Sequence, residues 1–195
     1  MRLIHFTLQE YLSTSPDIFS RPPSTMAEIC LTYLNSKEVM AIPADGSPDI
    51  SDTPFIKYSS LHWGSHTKKQ LSDHGRSLVL QLLQECDGHI STKLLLEQAG
   101  HLELKGVGMR FPFSGLHCAS FFGVVEVVAT LIETRSYDTD AGDFGGYTPL
   151  GWAAENGHEE VVKILLKLGE VNPNKPNDHG RTPLSLAASV DTRRP

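Results

Sequence analysis

The chain has 195 residues, with 39% hydrophobic and 21% charged residues, close to the average for a soluble globular protein. This composition excludes collagen-like, fibrous and wholly disordered proteins, and no apolar run reaches the roughly 18 residues of a membrane helix. The formal net charge is -6, and no segment supplies the basic patch or stripe that nucleic-acid binding requires.

The cysteines and the N-terminus bear on the cellular compartment. Cys30, Cys86 and Cys118 are odd in number and form no CxxC pair, so neither a disulfide framework nor a cysteine zinc site is indicated. The apolar stretch after Met1 is too short for the core of a signal peptide. We therefore expect a cytoplasmic protein, with a nuclear location also open.

The first predicted element lies within residues 1–12. Thr7 and Glu10 have the spacing of a capping box, and Phe6 and Tyr11 are placed to form the hydrophobic staple around it. The residues just before Thr7 could form a short strand.

Four helices are predicted in the rest of the first hundred residues. Thr25 and Glu28 have the capping-box spacing ahead of an apolar pattern with helical period. Prolines, Gly46 and several Asp and Ser residues predict a long exposed loop over 42–54. The helices are expected near residues 26–35, 55–63, 76–86 and 90–98.

The second half of the chain repeats itself at an interval of 34 residues. One offset aligns Leu116 with Leu150 and Gly123 with Gly157. A further offset carries the tripeptide 148–150 onto 182–184. Two offsets of equal length indicate a repeat architecture, in which each unit is one supersecondary structure stacked on its neighbours.

The residues of the best copy predict a helical hairpin. Thr148 suits an N-cap and Pro149 the first helical position, where a missing N–H costs nothing. Gly157 suits the left-handed turn that ends the first helix. A second helix follows, with an apolar stripe at i, i+3, i+4 and i+7, formed by Val161, Ile164, Leu165 and Leu168.

These residues resemble the ankyrin repeat, over roughly residues 106–190. The resemblance implies a mainly α fold, with a helical region at 1–100 followed by a short ankyrin-repeat solenoid of two repeats plus a partial third. Gly151 departs from the family, which usually has a histidine there that hydrogen-bonds within and between repeats. We expect a disordered tail at 191–195, and fraying of the last helix after about Ala188 unless further repeats or a partner cover it.

A second resemblance concerns the segment Arg2–Leu12, which is similar to a segment after the NACHT domain of fungal STAND-type proteins. In those proteins it closes a winged-helix-like region and leads through helices to an ankyrin array. No phosphate-binding GxxxxGK[ST] motif occurs in this chain. The resemblance therefore implies the C-terminal part of a larger sensor, or a shortened relative of one, with a winged-helix remnant at 1–12.

The ankyrin resemblance also implies a binding face, formed by the turn tips and the first helix of each repeat. Carried over by position, the candidate partner-binding residues are Phe144, Tyr147, Trp152, Glu155, Asn156, Asp178, His179 and Arg181. Aromatic residues and arginine are enriched at binding hot spots. The alternative is that Phe144 and Tyr147 pack on adjacent turns and that Trp152 covers the neighbouring inner helix.

Candidate chemistry is sparse elsewhere. His62 and His66 would share a helix face near Asp73, which leaves a metal-dependent hydrolase as an alternative, but the glutamate of the HExxH motif is absent. Cys118 follows His117 directly, and adjacent helical residues point apart, so a Cys–His nucleophile is not expected. By its alignment with Trp152, Cys118 is expected on the open inner face.

The sequence therefore predicts a non-enzymatic protein-protein interaction module without a cofactor or a metal. It would bind a protein partner, and neither a nucleic acid nor a membrane. Nucleic-acid binding through the winged-helix remnant is a second alternative, which the lack of a basic surface disfavours.

Overall fold

A computed structural model describes residues 26–43, 53–67, 71–100, 112–135 and 137–191, without the side chains of residues 54, 190 and 191. The segment predicted at 1–12, Thr25 of the second capping box and the tail after residue 191 lie outside the described residues. Within the described ranges, every regular element is helical, which confirms the mainly α fold class.

The chain divides into two compact units, Met1–Leu82 with His89–Met109 and Leu83–Gly88 with Arg110–Pro195. The first hundred residues contain the helices α1 (Met26–Leu34), α2 (Lys37–Met40), α3 (Pro54–His66), α4 (Asp73–Gln84) and α5 (Ile90–Gln98), and a 3-10 turn at Cys86–Gly88. The second unit continues with α6 (Gly115–Phe122), α7 (Val125–Glu133), α8 (Pro149–Glu155), α9 (Glu159–Lys167) and α10 (Pro183–Asp191).

The core of the first unit forms where α3 packs between α1 and α5. Leu31 and Leu34 of α1 and Ile56 and Trp63 of α3 belong to this core, and all four residues are at most 1% exposed. Burial of each such side chain stabilises the folded state by roughly 1.5–3 kcal/mol.

His89 joins two elements of this unit. It is the N-cap of α5, and its Nδ1 accepts a hydrogen bond from the Ser91 amide at 3.1 Å. Its Nε2 lies 3.1 Å from the Leu34 carbonyl oxygen at the end of α1. Since a carbonyl only accepts, Nε2 carries the proton, and burial lowers the pKa of the ring.

The second unit is built from helical hairpins at the predicted interval. The inner helix α6 pairs with the outer helix α7, and α8 pairs with α9 in the next repeat. The inner helices α6, α8 and α10 pack in a row, and α9 packs on α7 in the outer row. The hydrophobic face of each hairpin is thus buried against its neighbours, as in a solenoid.

The predicted signals of the best copy are confirmed. The Thr148 hydroxyl accepts a hydrogen bond from the Gly151 amide at 3.1 Å, and Pro149 occupies the first turn of α8. Gly157 has φ +70, in the left-handed region, and so does its counterpart Gly123 at +71. The ring of His158 packs so closely on Gly123 that a Cβ there would lie 2.5 Å from it, so the glycine is required.

Gly151 stands where the family usually has a histidine, and two hydrogen bonds that the preceding repeat makes at this position are therefore absent. Its counterpart His117 is buried, and its Nδ1 accepts a hydrogen bond from the Ser114 amide at 3.1 Å. Nε2 of the same ring lies 3.0 Å from the Ala141 carbonyl oxygen, which ties α6 to the loop leading into the next repeat. Gly151 has no side chain to make either bond.

Candidate interaction surface

The first part of the candidate surface is the turn 143–147, which precedes α8. Asp143 Oδ1 accepts hydrogen bonds from the amides of Gly145 and Tyr147, both at 2.9 Å. The Asp143 amide donates to the Tyr147 carbonyl at 2.9 Å, which closes the turn. A short side chain that bonds its own backbone two residues on is the physical basis of an Asx turn.

The second component is the same turn one repeat later. Asn177 Oδ1 accepts hydrogen bonds from the amides of His179 at 3.0 Å and Arg181 at 2.9 Å. The two turns are joined directly, since the Asp178 amide donates to the Gly145 carbonyl at 3.0 Å. Gly146, with φ +72, permits this approach, because a Cβ at that position would lie 2.7 Å from the Asp178 carboxylate.

An aromatic cluster supports the turns from below. The Trp152 indole stacks on the Tyr147 ring with centroids 4.7 Å apart and also contacts the rings of Phe113 and Phe121. Its Nε1 donates to Asp143 Oδ2 at 2.8 Å, so one carboxylate holds both the turn and the indole. The arrangement fixes the turn relative to the inner helix.

A charged pair links the two repeats beside this cluster. Arg181 Nη1 lies 3.9 Å from Glu155 Oε1, and Nη2 of the same guanidinium donates to Ser189 Oγ at 3.0 Å. The Glu155 side chain is 10% exposed and that of Arg181 is 35% exposed. Burial raises the pKa of the neighbouring Tyr147 hydroxyl, and the charge of Glu155 raises it further.

The predicted partner-binding residues therefore fall into a buried group and an exposed or partly exposed group. Trp152 is 1% exposed and Tyr147 4%, so both side chains are buried. Asp178 and His179 are exposed at the second turn, and Phe144 is partly exposed at the first. The last predicted residue, Asn156, is partly exposed and donates from Nδ2 to the Trp152 carbonyl at 2.9 Å.

We name the tip face as the surface formed by Phe144, Glu155, Asn156, Asp178, His179 and Arg181. Sequence reasoning missed the residues that organise it, Asp143 and Asn177. A signal for both exists, because they are 34 residues apart and each precedes a glycine-containing turn.

The histidines of the metal alternative lie on the first unit, at the C-terminal part of α3. The Tyr58 hydroxyl lies 2.9 Å from Nε2 of His66, and its ring contacts the His62 ring. Burial lowers the pKa of His66, and the charge of His62 adds to this. In the described ranges no three His, Cys, Asp or Glu side chains group to hold a metal ion, so His62, His66 and Asp73 do not form a three-ligand site.

The expectation that Cys118 lies on an open face is wrong. Its side chain is 4% exposed, because the 3-10 turn that carries Cys86 packs on α6. A hydrogen bond with the Cys86 thiol and burial raise the pKa of Cys118 well above its usual value. A thiol whose pKa is raised is a poor nucleophile at neutral pH.

None of the helices in the described residues is long and apolar enough to cross a membrane.

Comparison with known proteins gives one family match. The family described as "Ankyrin repeats (3 copies)" matches residues 70–175 and 116–193, more than half of the chain. The first match begins before residue 106, where the predicted repeats begin, and it includes α4 and α5.

Individual relatives are similar over a shorter stretch. The human "Ankyrin repeat and SAM domain-containing protein 3" is 42% identical over 61 residues, which are 31% of this chain and 9% of that protein. The "26S proteasome non-ATPase regulatory subunit 10" of Dictyostelium discoideum is 38% identical over 63 residues, 32% of this chain and 27% of the relative. The chain thus spans under a third of either protein.

A solved structure is similar at 36% identity over 39% of this chain and 39% of its own, with a TM-score of 0.37. It is described as "Bd0816 Predatory Endopeptidase from Bdellovibrio bacteriovorus in complex with immunity protein Bd3460".

Proposed function

Because the chain belongs to the ankyrin-repeat family, we propose that it is a non-catalytic module that binds a protein partner through the tip face. The observation that carries the proposal is the hydrogen bond from the Asp178 amide to the Gly145 carbonyl, at 3.0 Å. It holds the turns 143–147 and 177–181 in one arrangement in the absence of a partner. A surface that is already ordered loses little conformational entropy on binding.

The chemistry of the tip face indicates a mixed polar and aromatic contact. Phe144 offers a ring, while Asp178 and His179 offer exposed polar groups on the neighbouring turn. The Glu155–Arg181 pair adds two charged groups, of which the Arg181 side chain is 35% exposed and that of Glu155 10% exposed. Tyr147 and Trp152 contribute by supporting the face from below.

Capture of partners by the full chain, followed by mass spectrometry, tests this proposal. We expect Phe144→Ala combined with His179→Ala to lower recovery of the captured partner at least about tenfold, the range of a hot-spot loss. Lys167→Ala on the exposed side of α9 is the matched control and should leave recovery unchanged. Unaltered capture by the double variant, with wild-type circular dichroism and melting temperature, would refute the tip face.

We further propose that the chain is, or derives from, the C-terminal part of a NACHT/STAND-type signalling protein. Support comes from the string at 2–12 and from its order ahead of helices and repeats. An antibody against the second unit, used on extracts of the source cells, tests this. We expect a native product larger than 21.4 kDa whose peptides include a nucleotide-binding P-loop. A larger product without a P-loop would contradict the proposal. A 21.4 kDa product would also contradict it if the source cells make no larger protein that combines a P-loop with these repeats.

We also infer a cytoplasmic location, which the three buried cysteines support, since none of them is in a disulfide and exported proteins commonly form disulfides. Fractionation of source cells with the same antibody checks this inference, and recovery in the secreted or membrane fraction would contradict it.

A further inference from the structure

Two histidines lie one helical turn apart at the end of α3. His62 and His66 are at positions i and i+4, a spacing that places two side chains on the same face of a helix. His62 is exposed and His66 is partly exposed, so solvent and ions reach both residues. We call these two residues the histidine pair.

One tyrosine contacts both rings of the pair. The centroid of the Tyr58 ring lies 4.8 Å from that of His62 and 5.9 Å from that of His66. The Tyr58 hydroxyl also lies 2.9 Å from Nε2 of His66. The Tyr58 ring is in turn stacked on Phe55, a core residue that is 3% exposed, with centroids 5.8 Å apart. Both imidazoles are thus positioned against a ring that the core of the first unit supports.

Each imidazole keeps a nitrogen that can bind a metal ion. Among the described residues, neither ring nitrogen of His62 has a hydrogen-bond partner, and Nδ1 of His66 has none. An imidazole binds a metal through an unprotonated nitrogen, and Nδ1 of His66 is unprotonated when Nε2 donates to the Tyr58 hydroxyl. A hydrogen bond at the other nitrogen is the usual way in which a protein sets the tautomer and orientation of a metal-binding histidine.

The location of the histidine pair and its chemistry favour a particular class of cation. The pair lies in the last turn of α3, where the helix dipole places partial negative charge. Imidazole nitrogen suits Cu²⁺, Ni²⁺ and Zn²⁺, whereas Mg²⁺ and Ca²⁺ prefer oxygen ligands. Among the divalent first-row metals, Cu²⁺ binds a given set of such ligands most tightly.

We propose that the histidine pair binds one divalent copper ion, with one imidazole nitrogen from each residue. Within the described part of the chain, no group of three His, Cys, Asp or Glu side chains could hold a metal, so water fills the remaining positions of the ion. The site is therefore open, unlike a structural zinc site that is closed by four protein ligands. Both ligands belong to α3, so this proposal does not depend on the function proposed for the tip face.

Titration of the full chain with CuSO₄, followed by calorimetry, measures the affinity, and electron paramagnetic resonance counts the nitrogen ligands. We expect one tightest site per chain, with two imidazole nitrogens bound to the ion. His62→Gln and His66→Gln should each weaken this site at least about tenfold, because even changes around a metal ligand cost about 10–100-fold in affinity. His74→Gln, at an exposed position of α4 in the same unit, is the matched control and should leave the affinity unchanged.

The same measurements can contradict the proposal. Copper binding that His62→Gln combined with His66→Gln leaves unchanged would place the tightest site elsewhere. A wild-type spectrum without two nitrogen ligands would also overturn it, and so would displacement of the copper by equimolar MgCl₂. Circular dichroism checks the fold of each variant. If His66→Gln alters the fold, the exposed His62→Gln decides alone, because the loss of either ligand has to weaken a two-ligand site.

Discussion

His117 and Gly151 occupy the same position in successive inner helices, but only the histidine can form hydrogen bonds through its side chain. The His117 ring accepts at Nδ1 from the Ser114 amide, and its Nε2 faces the Ala141 carbonyl, so the ring is neutral with the proton on Nε2. Burial lowers the pKa of this ring from 6.5 to about 4. The protonation state of one side chain thus contributes to the stability of the first repeat.

Stability should therefore decrease in mild acid. Because the pKa of His117 is lower in the folded than in the unfolded state, its contribution is complete above pH 6.5 and is lost as pH falls toward about 4. The loss attributable to His117 should reach about 3 kcal/mol at most. Urea unfolding at pH 7, 5.5 and 4 measures it.

The matched variants for that experiment are His117→Asn and His179→Asn. His117→Asn is expected to be less stable at pH 7 and to show a shallower pH dependence, because it cannot be protonated. His179→Asn alters an exposed side chain and should follow the wild type. Parallel pH curves for the wild type and His117→Asn would rule out this role.

Gly151→Ala should stabilise the protein by about 0.5–1 kcal/mol, because glycine inside a helix is entropically costly. A Cβ at this position would lie 3.5 Å from Leu186 Cδ1, an ordinary contact. Gly146→Ala is the opposite case, because φ is +72 and a Cβ there would lie 2.7 Å from Asp178. Thermal unfolding of both variants measures the difference, and a lower melting temperature for Gly151→Ala would contradict the expectation.

At the scale of the element, each of the turns 143–147 and 177–181 depends on one buried side chain that accepts hydrogen bonds. Asp143 satisfies two backbone amides and the Trp152 indole with a single carboxylate, and Asn177 repeats the backbone part of this pattern. The turns are thus structured by their own side chains, and Gly146 sets how closely they approach.

Replacing Asp143 with Ala should cost about 2–4 kcal/mol of unfolding free energy, because it leaves buried donors without an acceptor. Asp178→Ala, one repeat later at the exposed tip, should cost less than about 0.5 kcal/mol. Urea unfolding gives both values, and Trp fluorescence should change in Asp143→Ala alone. Equal stabilities would show that the turn is held by other contacts.

Local signals predicted the helices well, and long-range contacts account for the rest. The N-cap Thr148, Pro149 and the left-handed Gly157 act within one turn of chain, so their effect can be read directly from the sequence. The burial of Trp152 depends on Phe113, 39 residues away, and that of Cys118 depends on Cys86. No local pattern encodes such pairs, and the same holds for the bond between His89 and the Leu34 carbonyl.

On the scale of the second unit, stability should fall along the row of inner helices. Each helix of a solenoid is stabilised mainly by its nearest neighbours. The central helix α8 packs against α6, α9 and α10, whereas α10 carries Leu184 at 78% exposure.

Hydrogen exchange should therefore proceed from the end of the row. We expect amides of α10 after about Ala188 to exchange at least about tenfold faster than those of Val161–Leu166, because local opening there exposes little buried surface. Mass spectrometry with peptic fragments resolves the two regions. Equal protection of the two helices would contradict this gradient.

The burial of all three cysteines has a practical consequence for following the two units in solution. Cys30 is 0% exposed in the first unit, while Cys86 and Cys118 are 3% and 4% exposed in the second. Burial also raises the pKa of the Cys30 thiol to about 11, so little thiolate forms in the folded chain. An alkylating reagent can therefore modify each thiol only when its own unit opens. The rate at which mass is added at each cysteine then reports the opening of its own unit, without any introduced label.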